Sequence, residues 1–203
     1  MRPCSPIRGV IFDLDGTLVD SGLDFEQMRR EMGLPPGTPL LEAIASLDEA
    51  GRSRCTLILE GHEQSGAERA RLMPGVVGLL RSLSQRQVRQ AVLTRNARKA
   101  ALATLARLGL TIDLVFARED APVKPDPAAI WRICDLWELA RHEVAMVGDY
   151  VFDIEAGRRA GVRTVLYTAG RDPAGLPGGD QADLCLRSFS EPDALVAWLA
   201  KPG

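Results

Sequence analysis

Apolar residues along this chain follow two rhythms. Short continuous runs occupy residues 9–12, 90–93, 114–117, 144–147 and 164–167. Between them, over 76–83, 98–108, 128–136 and 153–160, apolar side chains return every three or four residues, which gives each segment one oily helical face. Runs that are continuous rather than alternating fit strands covered on both faces. Strands alternating with helices predict βαβ units, and so an α/β fold built on a Rossmann-like parallel sheet. A late short strand over 184–186 and a closing helix over 194–199 complete the pattern. The stretch 172–180, rich in Pro and Gly, reads as a loop.

Residues 21–73 break the alternation. Their pattern predicts helices over 25–32, 40–50 and 55–64, separated by Gly33-Leu34-Pro35-Pro36-Gly37 and by Gly51, with no convincing strand. The expected organisation is an α/β core made of residues 1–20 and 74–203, with a helical insertion at 21–73.

Composition narrows the function classes. At 203 residues, 46% hydrophobic and 26% charged, the chain suits one domain carrying a modest insertion. A formal charge of −2 provides no pull toward nucleic acid or an anionic membrane, and 5% aromatics leave few platforms for stacking bases. Cys4, Cys55, Cys134 and Cys185 are scattered and form no Cys-x-x-Cys pair, and His62 and His142 lie in no zinc-like spacing. Free thiols in a reducing compartment are expected. Without a signal-like or membrane-spanning stretch, the expected location is the cytoplasm.

The candidate chemistry lies at the strand ends. Val10-Ile11-Phe12 runs into Asp13-Leu14-Asp15-Gly16-Thr17, two acids two residues apart. Alternation along an extended chain turns both toward one side, where they repel and are costly to desolvate unless a cation or an open cleft relieves them. Ala145-Met146-Val147 runs into Gly148-Asp149, with Asp153 four residues on, and Gly148 is expected to let the backbone turn sharply. Val92-Leu93 runs into Thr94-Arg95-Asn96, where Thr94 offers a hydroxyl and Asn96 a helix cap. Pro122-Val123-Lys124-Pro125-Asp126-Pro127 pins one lysine in a stiff loop. Ligands of open parallel sheets bind outside the carboxyl ends of the strands. Acids there suit a hard cation such as Mg²⁺. A hydroxyl, a lysine and backbone amides suit phosphate. The combination outlines phosphoryl transfer.

With these four motifs in this order, the sequence resembles the haloacid dehalogenase superfamily, specifically its phosphoglycolate phosphatase-like members. The resemblance implies an Mg²⁺-dependent phosphatase acting on a small phosphorylated metabolite, phosphoglycolate or a sugar phosphate, as a monomer or homodimer. It makes Asp13 the nucleophile, Asp15 the general acid and base, and Thr94 and Lys124 the phosphate ligands. It assigns the metal to Asp13, Asp149 and the backbone carbonyl of Asp15, with Asp153 in support. It makes residues 21–73 a cap, hinged at Gly22 and Pro74-Gly75, that closes over the sheet and excludes water. This cap is shorter than a four-helix one, and Tyr150 stands where many members carry serine.

Other residues are weaker candidates. Arg95, beside Thr94, could meet a second anionic group of a substrate, and Asp20 and Asp24 could close over the pocket. Thr17 could hold Asp15. His62 reads as a solvated helix-end residue, His142 as surface, Arg29 and Arg30 as a solvated helix face, and Trp131 and Trp137 as buried. The competing functions are a sugar phosphomutase of β-phosphoglucomutase type, which returns the phosphoryl group to a sugar, a non-catalytic binding module, and a dehalogenase.

Overall fold

The computed structural model describes residues 6–190 and 192–201, so that Cys4 lies outside the described residues. The chain begins with β1 (Gly9–Phe12) and a short β2 (Val19–Asp20). It then enters α1 (Phe25–Met32), α2 (Leu40–Ser46) and α3 (Glu49–Arg69) and returns through β3 (Arg71–Leu72). From there the elements alternate: α4 (Val76–Gln85), β4 (Arg89–Leu93), α5 (Arg98–Arg107), β5 (Leu114–Phe116), α6 (Ala128–Trp137), β6 (Val144–Gly148), α7 (Val151–Ala160), β7 (Arg163–Tyr167), β8 (Leu184–Leu186) and α8 (Pro192–Ala200).

Six strands form one parallel sheet in the order β5-β4-β1-β6-β7-β8. This is the α/β sheet that the two rhythms predict. The strands β1 and β6 are buried along their whole length, which explains their continuous apolar runs. Val10 and Phe12 turn toward the side covered by α4, α5 and α8, while Ile11 turns toward α6 and α7. Each such fully buried side chain contributes about 1.5–3 kcal/mol of burial free energy. The chain leaves β1 in one direction, to β4 and β5, and then restarts on the other side at β6. That reversal makes a crevice at the carboxyl ends of β4, β1 and β6.

The helical segment departs from the sequence pattern in two ways. Residues 21–73 do hold a strand: Arg71–Leu72 pairs antiparallel with Val19–Asp20, so the chain leaves and re-enters along one two-stranded ribbon. The helices expected over 40–50 and 55–64 also divide elsewhere. The break falls at Leu47, and Asp48 caps the next helix by accepting the Gly51 N–H at 2.8 Å. Gly51 therefore sits inside the first turn of α3, which runs unbroken through Cys55. A capped start outweighs the modest cost of a helical glycine. Met28, Met32, Leu40, Ile44, Cys55 and Leu59 join the three helices in a hydrophobic cluster of their own. The helix α3 also packs along α5, where Arg107 donates to the carbonyl of Ala67 at 2.7 Å and to that of Ala70.

Candidate active site

Four sequence segments meet in the crevice. Asp13 follows β1, Thr94 follows β4, Asp149 follows β6, and Lys124 arrives on the loop between β5 and α6. Together with Asp15 and Asp153 they line a single cavity of about 900 Å³, roofed by residues of α1, α2 and α3.

Two glycines give the acids room. Gly16 takes φ +81°, and a Cβ there would lie 2.3 Å from Asp149 Oδ2. The φ is one that side chains disfavour, so this tight exit suits glycine. Gly148 is not among the glycines with positive φ, and space is what it supplies. It ends β6, and a Cβ there would lie 2.1 Å from Asp153 Cγ. Its missing side chain is what admits Asp153 to the floor of the crevice. Asp153 stands in the first turn of α7, where its second oxygen accepts the Tyr150 N–H at 3.1 Å.

Lys124 is buried, with its Nζ 2.5 Å from Asp13 Oδ1 and 2.6 Å from Asp153 Oδ1. Oxygens of Asp13, Asp149 and Asp153 all come within 4.8 Å of one another. Burial pushes the Asp13 carboxyl well above the usual range, and the attraction of Lys124 offsets this only in part. Burial and the repulsion of Asp153 push Asp149 up to about 7. Burial would depress Lys124, but the two carboxylates hold it above its ordinary value. Three crowded acids against one ammonium leave excess negative charge, and an oxygen-binding divalent cation neutralises such an excess. The donor set therefore fits Mg²⁺, and the carboxylate oxygens close enough to meet on one ion are those of Asp13, Asp149 and Asp153.

The Asp15 carboxylate is outside that group. One oxygen accepts from Ser21 Oγ and the other from Asn96 Nδ2 at 2.5 Å. Burial nevertheless raises its pKa above the usual value, a direction that favours a carboxyl able to carry a proton. Thr17 does not hold it: the Thr17 hydroxyl is buried without a hydrogen-bond partner. Nor does Asn96 cap α5, whose cap residue is Ala97. Thr94 Oγ1 accepts the Asn96 N–H at 3.1 Å, leaving its own proton to donate.

Over residues 23–167 the chain matches the haloacid dehalogenase-like hydrolase family. It belongs to that family of hydrolases. The matched span contains Thr94, Lys124, Asp149 and Asp153 and begins after Asp13 and Asp15. A haloacid dehalogenase-like hydrolase domain-containing protein of Arabidopsis thaliana is 31% identical, over 96% of this chain and 82% of the relative. A phosphoglycolate phosphatase of Rhodospirillum rubrum is 29% identical, over 96% of this chain and 92% of the relative. Among solved structures, a hydrolase from Pseudomonas syringae superimposes with a TM-score of 0.77 at 20% identity, covering 96% of this chain and all of the other.

Within this hydrolase the weaker candidates take definite places. Arg95 reaches across the cavity rim to Glu42 of α2, with Nη2 at 2.9 and 2.7 Å from the two carboxylate oxygens. Asp20 lines the cavity and accepts the Gly22 N–H at 3.0 Å, while Asp24 caps α1. His62 is not a helix-end residue. It lies within α3 and meets Glu31 of α1 at 2.7 Å. Arg29 lines the cavity rather than a solvated face, whereas Arg30 is exposed. Trp137 is buried in the sheet-side core, as expected. Ser21 and Glu63 are site residues that the sequence pattern does not single out, and Asn96 is one that it reads only as a helix cap. Glu63, buried on α3, accepts the Ala97 N–H at 3.1 Å and pairs with Arg118.

Among the described residues no helix is long and apolar enough to cross a membrane. Cys55, Cys134 and Cys185 are free thiols.

Proposed function

We propose that this hydrolase is an Mg²⁺-dependent phosphatase of small phosphomonoesters that works through an aspartyl-phosphate. The observation that carries this reading is the convergence of Asp13, Asp15, Thr94, Lys124, Asp149 and Asp153 in one cavity at the sheet's carboxyl edge. Kinship with a protein named phosphoglycolate phosphatase supports the reaction class.

Asp13 attacks phosphorus and displaces the alcohol, a carboxylate acting as covalent nucleophile. Asp15 donates its proton to the departing oxygen and then takes one from the water that hydrolyses the acyl phosphate. The separation of roles follows from surroundings: Asp13 touches a cation, while Asp15 is held by two neutral donors. Lys124 and Thr94 hold phosphoryl oxygens in the negative form that develops during transfer. Asp13, Asp149 and Asp153, with the Asp15 carbonyl, would hold Mg²⁺. When bound, the ion lowers the electrostatic cost of bringing an anionic ester to an anionic nucleophile. Residues 21–73 serve as a cap whose roof excludes water from the acyl phosphate, on a core of 1–20 and 74–203, in a cytoplasmic enzyme.

Phosphate release from p-nitrophenyl phosphate, with Mg²⁺ and with a chelator, tests this reading. Turnover that requires the metal and disappears in Asp13→Asn is expected. Turnover indifferent to chelation, or undiminished in Asp13→Asn, overturns it.

A further inference from the structure

We infer that the substrate's leaving group carries no second anion, and that the Arg95–Glu42 ion pair enforces this preference; the inference rests on the phosphatase reading above.

The cavity is large for a short acid. At about 900 Å³ it lies at the upper end of small-molecule sites. Beyond the strand-end acids its walls include Phe25, Leu40, Leu41 and Leu59 from the roof and Tyr150 and Phe152 from the sheet side. Such walls favour a neutral alcohol of several carbons with an apolar face.

The cations lining the cavity are all engaged. Lys124 is held at the floor by Asp13 and Asp153. Arg29 donates to the Thr38 carbonyl at 2.7 Å and to Glu26 at 2.8 Å. Arg95 is the cation placed to read a leaving group, because it follows Thr94 and touches the backbone carbonyl of Lys124. Its guanidinium is held over the Phe152 ring, 4.7 Å from the centroid, and both Glu42 oxygens take its Nη2. Glu42 thus takes, from the cavity rim, the guanidinium edge with which a substrate carboxylate would pair. To enter, that carboxylate must displace Glu42 and then sit beside it. Asp20 and Asp24 line the same cavity and add to the opposing field. A hydroxyl-bearing or ring-bearing neutral alcohol meets none of this and leaves the pair intact.

The pair therefore acts as a charge filter, which gains selectivity by placing an unfavourable element against the wrong ligand. Sorbitol 6-phosphate and 6-phosphogluconate test it, because they share chain length and phosphate position and differ by one carboxylate. Wild-type enzyme is expected to favour the neutral ester by roughly tenfold or more in kcat/KM. Glu42→Gln removes the competing charge from an exposed helix position and frees Arg95, so the ratio should fall to about threefold or less. In the Arg95→Gln background, where no guanidinium holds Glu42 over the rim, adding Glu42→Gln should move the ratio much less than it does in the wild type, an outcome that a role for Glu42 independent of Arg95 does not produce. A wild-type preference for 6-phosphogluconate, or a ratio that Glu42→Gln does not move while either ester is turned over, overturns the filter. No phosphate from either ester or from p-nitrophenyl phosphate overturns the phosphatase reading beneath it.

Discussion

The carboxyl edge of the sheet and the helical roof above it build one cavity by opposite means. At the sheet edge, position comes from the backbone. β1, β4 and β6 are fixed side by side by ladder hydrogen bonds, so Asp13, Thr94 and Asp149 converge wherever those strands end. In the roof, position comes from side-chain packing and a few polar ties, Arg95 to Glu42, Arg118 to Glu63 and Arg107 to two carbonyls. Backbone ladders tolerate little drift, whereas packed helices joined by polar ties can be re-set by single substitutions. On the proposed reading, chemistry therefore belongs at the edge and selectivity in the roof.

The largest expected effect breaks the edge. Asp13→Asn should lower kcat by roughly 10⁴-fold or more while the protein melts as a folded unit, as read by phosphate release and calorimetry. Asp15→Asn should cost about 10²–10⁴-fold in kcat, with KM little changed and covalent phosphoryl transfer to Asp13 still detectable for a good leaving group.

Removing the donors that orient Asp15 should cost less. Asn96→Ala or Ser21→Ala leaves one Asp15 oxygen without its partner. Each should lower kcat by about tenfold, with a change in the pH–rate profile that identifies an effect on the proton donor. An unaltered profile in both would separate Asp15 from acid catalysis.

How far the molecule can be read from its sequence follows the same division. The runs at 9–12 and 144–147 state both a buried strand and, in the next residue or two, the acid at its end. Strand and chemistry are then written in adjacent positions. Asn96 and Ser21 lie 81 and 6 residues from the Asp15 they hold, and no local pattern announces such a tie. Gly148 is legible as a special residue, but its reason, space for the Asp153 side chain, depends on where α7 begins. In the roof the apolar spacing shows helices, yet not that Asp48 starts α3 and carries it through Gly51. Which roof side chains face the cavity depends on how α3 docks on α5, a tertiary fact.

Two smaller effects sharpen the comparison through stability. Gly148→Ala drives a methyl into Asp153, and overpacking of this kind costs about 1–3 kcal/mol, seen as a lower Tm. Asp149, pushed up to about 7, binds its proton more tightly in the folded chain than in the unfolded one. Without divalent cation, its effect on stability is therefore unfavourable above that pH and fades as pH falls toward the ordinary carboxylate value. Metal-free Asp149→Asn should melt a few degrees above the parent at about pH 8, with the gap closing near pH 4. Saturating Mg²⁺ should raise the Tm of the parent and not that of the variant. A parent that instead gains stability as metal-free pH rises over this range would contradict the assignment of crowded, costly charge to the edge.

The most direct test of the central claim is to trap the covalent intermediate. Enzyme quenched during turnover is treated with borohydride, which reduces an acyl phosphate to the alcohol, and the peptide containing residues 9–20 is sequenced by mass spectrometry. The account predicts homoserine in place of Asp13, dependent on substrate and absent from Asp13→Asn. Reduction at another carboxylate, or none while phosphate is being released, would contradict it.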